Sequence, residues 1–215
     1  MALAGCTGAL STLDPAGPAA AAIAELWWVM LVGAVLIFAL VMVLLAGAFR
    51  QRPPAEADEA RLLRVWVGGL GLAFTLTVLL ALFAYGLWVG AQLKPEASAQ
   101  VVQVQAEARR WSWRFRYADR PGYSSENLLH IPAGRPVDVA IRSADVVHSF
   151  WVPRLAGKLD ATPGHVKVLR IEAAQPGRYA GQSAEFSGPG YLDHRFTVLA
   201  HDAAGWQAFL AGEGP

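Results

Sequence analysis

The sequence from Leu26 to Phe49 reads LWWVMLVGAVLIFALVMVLLAGAF and contains no charged residue. At ~1.5 Å per residue, a helix of this length reaches ~36 Å, which exceeds the ~30 Å hydrocarbon core of a bilayer. Trp27 and Trp28 stand at its start, where amphipathic rings suit a membrane interface. The stretch therefore predicts a first membrane-spanning helix over about residues 26–49.

A second uncharged run, Val65–Leu93, predicts a second span over about residues 65–92. Two buried helices of a soluble core are the alternative, but uncharged runs of this length are typical of membrane spans. Together the two runs predict a transmembrane hairpin over residues 25–94. The second span also carries three glycines that would allow close packing against a partner helix: Gly68, Gly69 and Gly71.

The connection between the spans, residues 50–64, predicts the orientation of the hairpin. On the opposite side of the two spans, the nearest basic residue is Lys94. The acidic residues of the loop do not change the comparison, because acidic residues contribute little to orientation. Because basic loops stay in the cytoplasm, we expect this loop inside and both termini on the periplasmic side. The basic residues of the loop are Arg50, Arg52, Arg61 and Arg64.

Charge and cysteine usage exclude several classes of function. Eighteen Lys and Arg residues against seventeen Asp and Glu residues give a formal net charge of +1, which gives no electrostatic case for nucleic-acid binding. One cysteine excludes a disulfide framework and a thiolate-rich metal site. That cysteine ends the segment Leu3-Ala-Gly-Cys6, which has the form of a bacterial lipoprotein processing box if translation starts upstream. Residues 1–24 form an N-terminal lead in this interpretation. Two alternatives are open from sequence: Cys6 is lipidated, or the segment matches the processing box by chance.

The second half of the chain, residues 95–215, changes to short alternating runs separated by Gly and Pro. Many short strands at such spacing predict an all-β sandwich or barrel, which the orientation places outside the membrane. Asp202 predicts the start of a short final helix, Ala203 to Leu210. The predicted strands are Val101–Glu107, Trp111–Tyr117, Leu128–Ile131, Val137–Ile141, Val166–Ile171 and Phe196–Ala200. By contrast, the Ala- and Pro-rich segment from Ser11 to Ala24 predicts a flexible lead.

Three ordered motifs resemble subunit II of the haem–copper respiratory oxidases. They are Asp145-Val-Val-His-Ser-Phe-Trp-Val-Pro153, Lys158-Leu-Asp-Ala-Thr-Pro-Gly164 and Gly181-Gln-Ser-Ala-Glu-Phe-Ser-Gly188, preceded by the aromatic run Trp111–Tyr117. The resemblance extends from about Ala24 to the C-terminus. It implies a membrane-anchored α+β fold, in which a two-helix transmembrane hairpin precedes an all-β, cupredoxin-like Greek-key barrel.

In cytochrome c oxidases of this family, the exported domain binds two copper ions, the CuA centre. Two bridging cysteines, two histidines, one methionine and a glutamate carbonyl form its ligand set. Serine hydroxyls cannot replace thiolates that bridge mixed-valence copper, so the resemblance implies that this chain has lost CuA and holds no redox cofactor of its own. The corresponding positions here are His148, Ser183, Glu185, Ser187, Tyr191 and His194.

Other interpretations of these residues are open from sequence alone. His148 and His194, with Asp193, would hold a single zinc or copper ion, or else His148 is a hydrogen-bonded remnant and His194 a surface residue. His130, His165 and His201 receive no predicted role.

The resemblance also implies roles for residues outside the copper ligand set. Glu185 matches a magnesium ligand at the interface with subunit I, and a solvated loop carboxylate is the alternative. Trp111 and Trp113 match an aromatic electron-transfer region, but without copper we expect them to serve packing. Asp145 and Asp160 match acidic positions near the subunit interface, or are turn formers.

The segment Phe186–Tyr191 resembles bacterial quinol oxidases, which also lack CuA, whereas His148–Gly164 is closer to the cytochrome c branch. The leading hypothesis is therefore subunit II of a proton-pumping quinol oxidase of a bacterial inner membrane, which reduces O2 to water. The subunit would be structural and non-catalytic. Subunit I would carry the haems and the haem-coupled copper, and it would share a Mg2+ ion with this subunit. Further membrane subunits, lipid and membrane quinol would be the other partners. The alternatives are a cytochrome c oxidase whose electrons bypass the lost site, or a membrane-anchored metal-binding module that uses His148 and His194.

Overall fold

The computed structural model of the chain describes residues 7–50, 59–94 and 101–213. The chain divides into two compact units, residues 25–92 and a β unit that combines residues 93–215 with 1–24. Cys6 and most of the predicted cytoplasmic loop lie outside the described residues, so lipidation stays a prediction.

The helical unit contains two helices that are long and apolar enough to cross a membrane by length and composition. The first, α1, is Pro18–Arg50 and begins eight residues before the predicted span. The second runs from Glu59 to Gln92 as one continuous helix of 34 residues. Its parts are α2 (Glu59–Leu63), a π-helical segment (Arg64–Phe74) and α3 (Thr75–Gln92).

The π-helical segment is a departure that the hydrophobic pattern did not predict. It contains all three glycines that we expected to favour close helix packing, Gly68, Gly69 and Gly71. Glycine is the weakest helix former apart from proline, so a wider backbone is tolerated here. The hydroxyls of Thr75 and Thr77 donate to the carbonyls of Leu70 (3.3 Å) and Ala73 (2.8 Å) and anchor the return to α-helix.

The β unit contains ten strands in three sheets. A five-stranded sheet has the order β3-β2-β1-β5-β8, a three-stranded sheet has the order β4-β10-β9, and β6 pairs with β7. Pairings β1–β5 and β4–β10 are parallel and the other strand pairs are antiparallel. The strands are β1 Val102–Arg109, β2 Ser112–Tyr117, β3 Arg120–Glu126, β4 Leu128–Pro132, β5 Val137–Ser143, β6 His148–Phe150, β7 Leu159–Ala161, β8 Lys167–Ile171, β9 Gly177–Gln182 and β10 Arg195–His201.

Alternation along β2 builds the core between the two larger sheets. Trp113, Phe115 and Tyr117 are buried while the residues between them are half-exposed, as the pattern predicted. Phe150 and Phe196 complete the aromatic centre, with ring centroids 5.4 Å and 5.6 Å from Trp113.

The predicted final helix is confirmed as α4, Ala203–Ala211. The Asp202 side chain accepts a hydrogen bond from the amide of Gly205 at 2.7 Å, which caps the helix. Trp206 and Phe209 are buried against the β unit.

The prediction of a flexible N-terminal lead is wrong for the described part of that segment. The amide of Ala16 donates to the Arg154 carbonyl at 2.7 Å, and the amide of Ala174 donates to the Ala16 carbonyl at 2.8 Å. Arg154 also pairs with Asp14 at 3.1 Å. Small residues allow this docking, because the backbone of the N-terminal segment approaches the backbone of the β unit closely. A Cβ on Gly17 would overlap the Glu172 carbonyl oxygen.

Candidate functional site

The residues that match the family's copper ligands converge at one end of the β unit. His148 begins β6, Ser183 follows β9, and His194 precedes β10. Backbone hydrogen bonds join these segments, because the amide of Ser183 donates to the His194 carbonyl (2.9 Å) and the amide of Gln182 donates to the Trp151 carbonyl (3.0 Å). The fold therefore brings together the positions that the resemblance implied.

His148 is fully buried and is held by a carboxylate. Its Nε2 lies 2.7 Å from Oδ1 of Asp145. Burial raises the pKa of Asp145, but the hydrogen bonds from His148 and from the amides of Val146 and Arg110 outweigh burial and bring that pKa to about 2. Asp145 is therefore ionised at neutral pH, and Nε2 of His148 carries the shared hydrogen. Sequence reasoning predicted an interface acid or a turn former at Asp145 and missed this pairing.

His194 is also fully buried, so its interpretation as a surface residue is wrong. A short 3-10 turn, Tyr191–Asp193, directs the chain inward just before β10. The His194 ring stacks on Trp113 at 5.5 Å and lies 4.9 Å from the ring of His148 at 82°. Burial, together with His148, lowers the pKa of His194 to about 4, although the Ser112 carbonyl and Asp145 act in the opposite sense. The imidazole is therefore neutral near pH 7.

Three ring nitrogens in this pair have no hydrogen-bond partner among the described residues: Nδ1 of His148 and both nitrogens of His194. The Ser112 carbonyl is close enough to raise the pKa of His194. It does not meet the geometry of a hydrogen bond, so both His194 nitrogens are unpartnered among the described residues. Asp193, the expected third ligand, is exposed while both histidines are buried. Across the described residues no group of three His, Cys, Asp or Glu side chains is placed to hold a metal ion.

The two serines at the thiolate positions are buried and hydrogen-bonded to the main chain. Oγ of Ser183 accepts from the amide of Ser149 at 3.1 Å, and the Ser187 hydroxyl donates to the Glu185 carbonyl at 3.5 Å. Tyr191, at the second histidine position, packs its ring against Phe186 at 5.4 Å. A CuA centre needs two bridging thiolates. The donor set of this chain therefore does not fit that group.

Trp111 covers the histidine pair, with ring centroids 6.3 Å from His148 and 6.1 Å from His194. Two glycines make room for this ring. Gly188 (φ +116°) and Gly190 (φ +103°) adopt backbone conformations that favour glycine, and a Cβ at either would lie 3.6 Å or 3.0 Å from the Trp111 ring. The glycine loop and the indole thus form one packed unit.

Glu185 lies in a separate charged group at the edge of the site. Its Oε2 is 3.5 Å from Nζ of Lys158, which is also 3.5 Å from Oδ1 of Asp160. Asp160 in turn accepts a hydrogen bond from the Ser149 hydroxyl at 2.9 Å. Mg2+ binds proteins through one or two carboxylates plus waters. Here the Lys158 ammonium pairs with both carboxylates, so a Mg2+ ion at Glu185 would have to compete with this lysine.

A second histidine pair was missed by sequence reasoning. Nδ1 of His130 and Nε2 of His201 lie 2.8 Å apart, and Phe209 of α4 stacks on both rings. Burial, helped by His201, Arg120 and Arg178, lowers the pKa of His130 to about 4, and burial also lowers the pKa of His201. The parallel pairing of β4 with β10 brings the two histidines together, a register that sequence spacing does not reveal.

Comparisons with known proteins agree with this architecture. Residues 122–200 match the family described as "Cytochrome C oxidase subunit II, periplasmic domain". The "Ubiquinol oxidase subunit 2" of Acetobacter aceti is 32% identical over 92% of this chain and 67% of that protein. The "Cytochrome c oxidase subunit 2" of Alkalihalophilus pseudofirmus is 30% identical over 98% of this chain and 64% of that protein. The chain thus spans about two thirds of the length of these relatives.

Solved structures share the fold. The periplasmic domain of subunit II of cytochrome oxidase from Bradyrhizobium japonicum matches with a TM-score of 0.50 and 21% identity, over 55% of this chain and 94% of that one. A chain of a heme-copper terminal oxidase dimer matches with a TM-score of 0.51 and 23% identity, over 63% of this chain and 99% of that one. The expected two apolar helices followed by a cupredoxin-like β domain are confirmed. The chain belongs to the subunit II family of the haem–copper respiratory oxidases.

Proposed function

We propose that the chain is subunit II of a quinol oxidase that reduces O2 to water and pumps protons across a bacterial inner membrane. In this proposal the subunit is non-catalytic and holds no redox centre. One observation carries it. The positions of the bridging thiolates are Ser183 and Ser187, and both hydroxyls are engaged with the main chain. Electrons from a membrane-dissolved quinol need no such centre on the exported side.

The names of the relatives support the family but not the donor, since both quinol and cytochrome c oxidase subunits are among them. The packing of the site supports the quinol branch. A glycine loop closes over Trp111, and Tyr191 packs against Phe186 where the family has its second histidine. A domain that accepted electrons from a soluble protein would need a redox group beneath this surface.

The partners in this proposal are subunit I, which would carry the haems and the haem-coupled copper, further membrane subunits, lipid and quinol. We propose that the Arg-rich loop faces the cytoplasm and that both termini are periplasmic. Glu185 supplies this chain's share of an interfacial Mg2+ site in the proposal, with the remaining oxygen ligands from subunit I and water.

The second candidate is a metal-binding module, and one observation favours it: the buried pair His148 and His194 has three unpartnered ring nitrogens among the described residues. Buried polar atoms usually find a protein, water or ion partner. Mild-detergent purification of the tagged protein separates the candidates. Recovery with a haem-containing partner supports the oxidase, and recovery of a haem-free protein with one bound zinc or copper supports the module.

The donor is tested by assaying oxygen consumption of the purified complex with reduced quinol and, separately, with reduced cytochrome c. We expect turnover with quinol and none with cytochrome c. A matched control is a cytochrome c oxidase purified in the same detergent, which shows that the cytochrome c assay is active. Turnover with cytochrome c alone would contradict the quinol proposal and favour an oxidase whose electrons bypass the lost CuA site.

A further inference from the structure

An apolar groove of about 550 Å³ lies between α1 and the π-helical segment. Its walls include Ile37, Leu44 and Ala48 of α1 and Trp66, Gly71 and Phe74 of the second helix. Thr75 also lines the groove, but its hydroxyl donates to the Leu70 carbonyl of its own helix. The groove therefore suits an apolar occupant.

The length of the groove matches one leaflet of a bilayer. From Ile37 to Ala48 the helix rises ~16 Å, about half of the ~30 Å hydrocarbon core. A groove of about 550 Å³ and one leaflet in length suits an extended hydrocarbon chain.

Two arginines are close in sequence to residues at one end of the groove. Ala48 lies two residues before Arg50, and Trp66 lies two residues after Arg64. Both arginines are exposed, and neither has an ion-pair partner within the part of the chain that the structure describes. Arginine close to a membrane surface attracts anionic headgroups. An apolar slot one leaflet long that ends at two arginines has the shape and charge of a phospholipid site.

We propose that this groove binds one acyl chain of an anionic phospholipid, with Arg50 and Arg64 contacting its phosphate headgroup. The site goes beyond the oxidase function and does not depend on the electron donor. Its lipid comes from the leaflet that faces the Arg-rich loop, because Ala48 and Trp66 of the groove lie within two residues of Arg50 and Arg64 at that end of the hairpin.

Headgroup selectivity is tested on the purified full chain in detergent, with phosphatidylglycerol and phosphatidylcholine that carry the same brominated acyl chains. Bromine quenches a nearby indole, and the difference between wild type and Trp66→Phe isolates Trp66. We expect phosphatidylglycerol to bind more tightly by about fivefold per arginine. Arg50→Gln with Arg64→Gln removes this preference, while Lys94→Gln, at the other end of the second helix, retains it. Equal binding of the two lipids to wild type would overturn the proposal.

The acyl slot is tested by filling it. Ala48→Leu places a larger side chain in the groove and displaces about two methylenes of the acyl chain. We expect the binding affinity for both lipids to fall roughly fifteenfold. Ala34→Leu is the matched control, on the same helix and outside the groove. Unchanged Trp66 quenching in Ala48→Leu, with both variants eluting as wild type on size exclusion, would overturn the assignment of the groove. In the assembled complex, we expect phosphatidylglycerol to remain bound through purification of the wild type and to be lost from the double arginine variant. The same phosphatidylglycerol content in the wild-type and variant complexes would contradict the proposal.

Discussion

At the scale of single residues, the donor set could be predicted from the sequence while its surroundings could not. Ser183 and Ser187 exclude bridging thiolates wherever the chain places them. The burial of His194 depends instead on a short turn of 3-10 helix, and the Asp145–His148 hydrogen bond depends on a loop conformation. Neither has a periodic signature. Sequence reasoning therefore identified the residues of the site and missed what they contact.

Asp145→Ala removes the acceptor that holds a fully buried imidazole. Nε2 of His148 then loses its partner, and two backbone amides lose theirs. We expect the β unit to lose about 1–3 kcal/mol of stability, measured as a lower urea midpoint by tryptophan fluorescence. Asp119→Ala, an exposed acid in the turn after β2, is the control and leaves the midpoint within about 0.5 kcal/mol. Equal effects of the two variants would contradict the role given to Asp145.

Gly17→Ala tests the docking of the N-terminal segment on the β unit. The added Cβ would overlap the backbone oxygen of Glu172, which cannot rotate away. We expect a loss of about 1–3 kcal/mol from overpacking and faster proteolysis of residues 7–17. Gly33→Ala, within α1 and with nothing within 4 Å of the new Cβ, is the control. A flexible lead, as the composition predicted, would make the two variants indistinguishable.

At the scale of elements, strong patterns were reliable and weak ones were not. Six of the ten strands and α4 were predicted, and each of those strands carries a run of apolar or aromatic residues. The four missed strands are β3, β6, β7 and β9. Of these, β3 contains Pro121 and Gly122, which predict a turn, and is tolerated because it lies at a sheet edge. β6 and β7 have three residues each, too short for any period.

The His130–His201 pair predicts acid sensitivity of the contact between α4 and the β unit. The groups that act on the pair are Arg120, Arg178 and Asp202. Both histidine pKa values lie below the ~6.5 of an unfolded chain, so their contribution to stability is present above that pH. It is lost as the pH falls from ~6.5 toward the pKa of about 4 of His130.

We expect acidification across this window to cost on the order of 2–3 kcal/mol, followed as the urea midpoint between pH 7 and pH 4. His130→Gln, which cannot titrate at this position, makes this dependence shallower, and His194, whose pKa is also about 4, contributes to the slope that remains. His165→Gln is the control because that histidine is exposed, and it leaves the slope as in wild type. A slope in His130→Gln as steep as in the control would show that other groups carry the acid response.

At the scale of the whole molecule, the family could be predicted because three motifs occur in order after a transmembrane hairpin. The electron donor could not be derived in the same way. Relatives named for quinol and for cytochrome c resemble the chain about equally, at 32% and 30% identity. A shared scaffold serves both donors, so the overall fold does not distinguish them. The difference lies in a few ligand positions, and here those positions carry hydroxyls where copper needs thiolates.

The most direct test of this account is the copper content of the purified full-length chain after expression with added copper, measured by elemental analysis against protein concentration. We predict no stoichiometric copper bound as a thiolate-bridged pair, because Ser183 and Ser187 provide no thiolate and the only cysteine is Cys6, far away in the sequence. Ser183→Ala with Ser187→Ala should leave the copper content unchanged. Two copper ions per chain, lost in that double variant, would contradict the proposal that this subunit holds no redox centre.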